Sequence, residues 1–197
     1  MARLNIREHR RNELIDAAIA SIAERGLSDT TLATIAAQAG VSPALVNHYF
    51  DGKEDLLEAT LRRLAKDLAN TIHRLTPPQP TPLDRLHAII DGCLTSEHLL
   101  PGAMLTWQAF WSQIPTNPKL AALQRTINRR FQSNIRFALR DLIREEAIEE
   151  IHFGLFALID GFWIRQVIDA GSFTLDTARM ICRNYVDLNI GKYALKA

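Results

Sequence analysis

In "GVSPALVNHYFDGKEDLL", residues Gly40–Leu57, one helix stops and another starts with only Val41 and Ser42 between them. Leu32, Ile35, Ala36 and Ala39 stand at i, i+3, i+4 and i+7, the stripe of an amphipathic helix, and Gly40 follows as a natural stop. Ser42 suits an N-cap and Pro43 the first helical position, so a short second helix begins at once. A helix, a tight glycine-containing turn and a second short helix make a helix-turn-helix.

The helical period recurs along the rest of the chain, and no Asn-Gly or Asp-Gly turn separates strand-like runs, so the fold class is all-α. A first helix is expected over about Arg7–Arg25, burying Leu14, Ile15, Ala18 and Ile22 and stopping at Gly26. A long helix over about Gly52–Leu75 closes the N-terminal unit, and "TPPQPTP" at Thr76–Pro82 is the strongest break. Further helices are expected near Pro82–Leu94, Pro101–Ile114, Lys119–Glu146, Glu149–Ala170 and Thr174–Ala194. This organisation divides into a helix-turn-helix domain over residues 1–52 and a helical domain over residues 53–197.

The second short helix separates its residues by face. Val41, Leu45, Val46 and Phe50 form a packing side, whereas Pro43, Ala44, Asn47 and His48 point outward. Asn and His can donate to and accept from base edges in a major groove, and small residues allow close approach. Ser42, Thr31, Tyr49 and Lys53 are of the type that holds phosphate by hydroxyl or ammonium and fixes register without reading sequence. The chain's formal charge of +1 indicates no basic protein as a whole, but Arg3, Arg7, Arg10 and Arg11 stand against Glu8 alone at the start. Arg3, Arg7 and Arg10 are therefore candidate backbone clamps on double-stranded DNA.

Residues Asp29–Leu57, "DTTLATIAAQAGVSPALVNHYFDGKEDLL", resemble the DNA-binding signature of the TetR family of bacterial repressors. Gly-Val-Ser opens the recognition helix, and Tyr49, Phe50, Lys53 and Leu56 follow the family pattern. Asn47 departs from it, since many members carry Tyr there, so base contacts do not transfer from a typical relative. The resemblance implies a DNA-binding repressor whose C-terminal domain dimerises and binds a small-molecule effector.

Two C-terminal features bear on those roles. "HFGLFALIDGFWIRQVIDAG" is apolar on almost every side, more than one core-facing stripe needs, and Gly154 and Gly161 lie seven apart where a second helix could come close. A homodimer with a four-helix interface from the last two helices of each chain is the expected assembly. In "MLTWQAFW", Met104, Trp107, Phe110 and Trp111 share a helix face, and Phe162 and Trp163 lie on a later one. Such rings either fill a core or, with a carboxylate, cage a quaternary ammonium; Asp160, Asp91 and Glu97 are the available acids. "AMLTWQAFW" and "ALIDGFWIR" are similar to the choline-responsive Bet subgroup of the same family, although Pro43, Ala44 and Asn47 differ from its usual residues. That similarity implies choline or a related quaternary amine as effector, genes of choline uptake and oxidation to glycine betaine as targets, and Trp107, Phe110, Trp111, Asp160 and Trp163 as ligand-binding residues.

Other classes find little support. Cys93 and Cys182 lack any zinc-type or disulfide-framework spacing, so no metal or cofactor is expected. The six histidines show no H-E-x-x-H or nucleophile-elbow context, and Glu149-x-x-His152 is a single copy of a motif that di-iron sites need twice, so no enzyme is expected. The start is charged rather than signal-like, and Asp160 and Arg165 interrupt the apolar run Phe153–Ile168. A cytoplasmic protein without a membrane partner follows as the expectation.

Overall fold

The structure is a computed structural model that describes residues 2–98 and 101–195, with side chains described from Ile6 onward except that of Pro101. The described residues form nine helices: α1 (Ala2–Asp29), α2 (Leu32–Gln38), α3 (Pro43–Tyr49), α4 (Gly52–Leu75), α5 (Pro82–Cys93), α6 (Pro101–Gln113), α7 (Pro118–Leu139), α8 (Glu145–Ile168) and α9 (Leu175–Tyr193). They pack as two units, Met1–Lys66 with Leu100–Gln124 and Asp67–Leu99 with Arg125–Ala197, and the divisions fall within α4 and α7. The first unit thus includes α6 and the start of α4, which lie beyond residue 52.

In the first unit, Leu14, Ile15, Ala17 and Ala18 of α1 meet Ile35 and Ala36 of α2, Val46 of α3, Phe50, and Leu56 and Ala59 of α4 in one buried cluster. The turn after α2 closes by two backbone bonds, Val41 N–H to Ala36 O at 2.9 Å and Gly40 N–H to Ala37 O at 3.1 Å. This pairing needs a left-handed residue between helix and loop, and Gly40 supplies φ 65°. Gly26 has φ 77° and kinks α1 where a stop is expected, with helical turns resuming to Asp29. A polar seam ties α1 to α2: the fully buried Ser21 hydroxyl lies 3.5 Å from that of Thr30 and 3.3 Å from that of Thr34, and Thr30 donates to Gly26 O at 2.7 Å. Thr106 of α6 donates to Gly102 O at 2.7 Å and lies 3.4 Å from Ile19 O of α1.

In the second unit, α9 packs against both α5 and α8. The open carbonyls at the end of α5 are capped from the other two helices, Cys93 O by the Trp163 indole N–H at 2.8 Å and Leu94 O by Arg179 Nε at 3.1 Å. By length and apolar content alone α8 could cross a membrane, but Ile151, Leu155, Ile159 and Trp163 form a buried face within this unit.

The helix expected over Lys119–Glu146 ends instead at Leu139. No Pro or Gly stands between Pro118 and Gly154 to mark the change. The break is made by distant backbone: Arg144 N–H donates to Tyr193 O at 3.0 Å, and Leu195 N–H donates to Leu142 O at 3.2 Å. Gly154 also differs from its expected use, because a Cβ there would collide with the phenol of Tyr185 on α9 of the same chain. Gly161 is exposed, and a Cβ there would meet nothing within 4 Å among the described residues.

Candidate nucleic-acid interface and effector residues

Both helices of the helix-turn-helix are capped at their N-termini by hydroxyl side chains. Leu45 N–H donates to Ser42 Oγ at 3.3 Å, and Thr31 caps α2 through a reciprocal pair with Thr34 at 3.1 and 2.9 Å. A hydroxyl oxygen that accepts from a helix amide still carries a hydrogen to offer a phosphate. Val46 and Phe50 are buried, and this inward anchoring leaves Ser42, Pro43, Ala44, Asn47 and His48 exposed together on the opposite face. Tyr49 is half-buried against the core cluster, with the His48 ring edge-on at 5.2 Å.

Lys53 donates from Nζ to Leu27 O at 3.1 Å, so its ammonium ties the start of α4 to the end of α1. Of the N-terminal arginines, Arg7 is exposed, whereas Arg10 pairs with Glu13 at 2.6 Å. The Arg3 side chain lies outside the described residues. Arg11 stacks over Phe50 at 4.7 Å and thereby clamps α1 to the end of α3. Its i+4 spacing from Arg7 hinted at a shared face but not at that ring.

Asn47 is the outward residue best equipped to read a base, through a bidentate pair with adenine. Asn47→Ala is expected to weaken specific operator binding by roughly 1–3 kcal/mol, about 5- to 150-fold, while nonspecific binding stays unchanged. Equal anisotropy titrations for the two proteins on operator DNA would remove Asn47 from base reading.

The five effector candidates fall in both units. In the first, Trp107 and Phe110 of α6 are buried and Trp111 is half-buried, with the two indole rings 6.2 Å apart and tilted by 40°. Phe110 is 0% exposed, a core ring packed on all sides. In the second, Trp163 is buried and held by its bond to Cys93 O, and Asp160 precedes it by three residues on α8. Of the three acids, Asp91 is paired with Arg183 and Glu97 with Arg74 at 2.9 Å. Asp160 has no ion-pair partner among the described residues, and burial pushes its carboxyl up to about 6. The nearby thiols stay neutral: Cys182 is pushed up to about 11 and Cys93 higher still, chiefly by burial. Among the described residues no group of three or more His, Cys, Asp or Glu is placed to hold a metal ion.

Residues 14–60 match the bacterial regulatory proteins of the tetR family, and residues 82–191 match the C-terminal domain of BetI-type transcriptional repressors. The HTH-type transcriptional regulator BetI of Burkholderia lata is 39% identical over 189 residues, covering 95% of this chain and 97% of that one. The corresponding protein of Burkholderia cenocepacia is 38% identical over the same length. A solved transcriptional regulator from Pseudomonas aeruginosa PAO1 superposes with a TM-score of 0.78 at 27% identity, covering 93% of this chain and 91% of its own. A regulator from Saccharomonospora viridis, solved in complex with choline, superposes with a TM-score of 0.82 at 23% identity, covering 96% of this chain and all of its own. With its N-terminal reader and more than half its length matched in this way, the chain belongs to the TetR family of transcriptional regulators, as a repressor with a BetI-type C-terminal domain, and is not an enzyme.

Proposed function

We propose that this repressor is released from its operator by choline or a related quaternary amine, and that it controls genes of choline uptake and of choline oxidation to glycine betaine. The observation that carries the effector reading is Asp160, a half-buried carboxylate with no cationic partner among the described residues. A carboxylate deprived of water and left unpaired gains more from a bound cation than a solvated one does. A quaternary ammonium suits the position because it brings charge with little hydration to lose, and the Trp163 ring is fixed on the same helix. The BetI-type C-terminal domain matched over residues 82–191 agrees with the resemblance to the choline-responsive subgroup from which this reading starts.

On the DNA side, Ser42, Pro43, Ala44, Asn47 and His48 face the major groove in this reading, and Thr31, Tyr49 and Arg7 touch the backbone. Lys53 serves as a brace between α4 and α1 that also presents positive charge beside the phosphates. Operator DNA as partner places the protein in the cytoplasm.

The working unit is a homodimer. Phe153, Ala157, Gly161 and Ile164 are exposed along one stripe of α8, and Ile181 and Leu188 are exposed on α9 of the same unit. Two recognition helices held about 34–36 Å apart would meet successive major grooves of a near-palindromic site. Effector binding favours a spacing that no longer fits, and α4, whose residues divide between the two units, is the lever.

The test is fluorescence anisotropy on the DNA upstream of the protein's own gene, at fixed salt, titrated with protein and then with choline, betaine and betaine aldehyde. A coupling of about 1–3 kcal/mol would weaken binding some 5- to 150-fold with choline. Tight binding indifferent to all three amines would reject this effector class and leave the repressor with a different hydrophobic or cationic ligand.

A further inference from the structure

Residues 125–140 carry Arg125, Arg129, Arg130, Arg136 and Arg140 and no acid. Arg125 with Arg129, and Arg136 with Arg140, repeat like charge at i, i+4, a spacing that weakens a helix rather than supporting it. Helix propensity therefore gives no reason for the pattern. Three of these arginines instead line one concavity of the second unit, a groove of about 420 Å³ shared with Gln132, Ser133 and Phe137 and bounded by Glu145 and Ile148 of α8. Arg129, Ser133 and Arg136 stand at i, i+4 and i+7 on α7, and Arg140 at i+11 lies just past its last residue, so the donors follow a single side over about 16 Å.

The groove is pre-organised. Phe137, 44% exposed, takes the Arg140 guanidinium over its ring at 4.2 Å and the Arg85 guanidinium at 5.4 Å. Arg136 is held by Glu149, and Arg140 lies 3.5 Å from Asp141, whereas Arg129 has no ion-pair partner among the described residues. The start of α8 borders the same groove, and its N-cap Arg144 offers no side-chain acceptor to the first-turn amides. Planar guanidinium forks, an amide and a hydroxyl are all donors suited to anionic oxygens.

We infer that this α7–α8 groove binds a small polyanion carrying at least two anionic oxygen groups, a phosphorylated metabolite or a di- or tricarboxylate, at a site separate from Asp160. Arg129 and Arg140 grip its two ends, and Gln132 and Ser133 fix its orientation. Phe137 keeps Arg140 extended along the groove wall before the ligand arrives.

The experiment is calorimetric titration of the full chain with pyrophosphate and, separately, with citrate, at constant ionic strength set by chloride. One saturable site per chain is expected for at least one of them, and which one binds separates phosphate from carboxylate recognition. Arg129→Gln with Arg140→Gln should weaken that binding at least tenfold, Phe137→Leu should weaken it by a smaller factor, and Arg125→Gln, outside the groove, should leave it unchanged. Unaltered circular dichroism and melting temperature in each variant would show that the fold persists. Absence of saturable binding by both anions overturns the inference, as does equal affinity in the double variant. So does a result in which only a random-sequence DNA duplex loses affinity in the double variant, since the arginines would then be a DNA contact.

Discussion

Leu188→Glu combined with Phe153→Glu is expected to turn the repressor into a folded monomer that binds its operator about a hundred- to ten-thousand-fold more weakly. Leu188 is 74% exposed and Phe153 is 61% exposed, so neither contributes much to the chain's own core. Their helices are held instead by Val186 and Cys182 on α9 and by Ile151 and Leu155 on α8, all buried. Glutamate at the two exposed positions therefore leaves the monomer's packing largely intact. In a dimer the same substitutions place four carboxylates in an apolar interface, where unpaired charge is strongly unfavourable. A repressor reading two half-sites gains affinity because the second contact is intramolecular, and that gain disappears with the dimer. Sedimentation velocity and operator anisotropy check both parts. A variant that still sediments as a dimer with unchanged affinity would move the interface away from α8 and α9.

The first four helices are legible in the sequence because local signals decide them. Thr31 and Ser42 are caps, Gly40 adopts a positive φ where the chain leaves α2 and Gly26 one where α1 kinks, and Val46 and Phe50 mark the inward face of α3. Each of these acts within a few residues, so a pattern argument can find it. The division between α7 and α8 could not be found in this way. It rests on two backbone hydrogen bonds, Arg144 N–H to Tyr193 O and Leu195 N–H to Leu142 O, which join positions about fifty residues apart in a stretch whose own propensity runs on as helix.

The site residues were legible by type more than by partner. The outward set on α3 was readable from its neighbours' apolar spacing, but the bond from Lys53 to Leu27 and the pairing of Arg10 with Glu13 depend on how the helices meet. Gly154 shows the same limit. Its spacing from Gly161 suggests one shared role, whereas Tyr185 lies against the first and, among the described residues, no atom would come within 4 Å of a Cβ on the second. Among three acids of equal promise, only the structure shows that Arg183 and Arg74 have already taken two.

Asp160→Asn should retain operator binding and weaken its relief by choline, raising the half-effective choline concentration at least tenfold. Asparagine keeps the size and hydrogen-bonding outline of the side chain but removes the charge on which cation binding depends. Burial sets the sign of two further effects. Because the folded-state carboxyl is pushed up to about 6 from an ordinary 3.8, the native chain takes up a proton more readily than the unfolded chain between pH 6 and 4. The destabilising charge is therefore fully present above pH 6 and is relieved as the pH falls through that window. At pH 7 the Asn variant should be more stable than the parent by about 1 kcal/mol, allowing for solvent screening at a half-buried position, and this difference should vanish toward pH 4. Choline carries a fixed charge, and the Cys93 and Cys182 thiols remain neutral across the range, so its affinity for the parent should fall up to tenfold per pH unit below 6. Thermal melts of both proteins from pH 4.5 to 8, with and without choline, read all of these effects together. A variant that still responds to choline with a parental pH profile would leave Asp160 a desolvated core acid and place the effector's charge partner elsewhere.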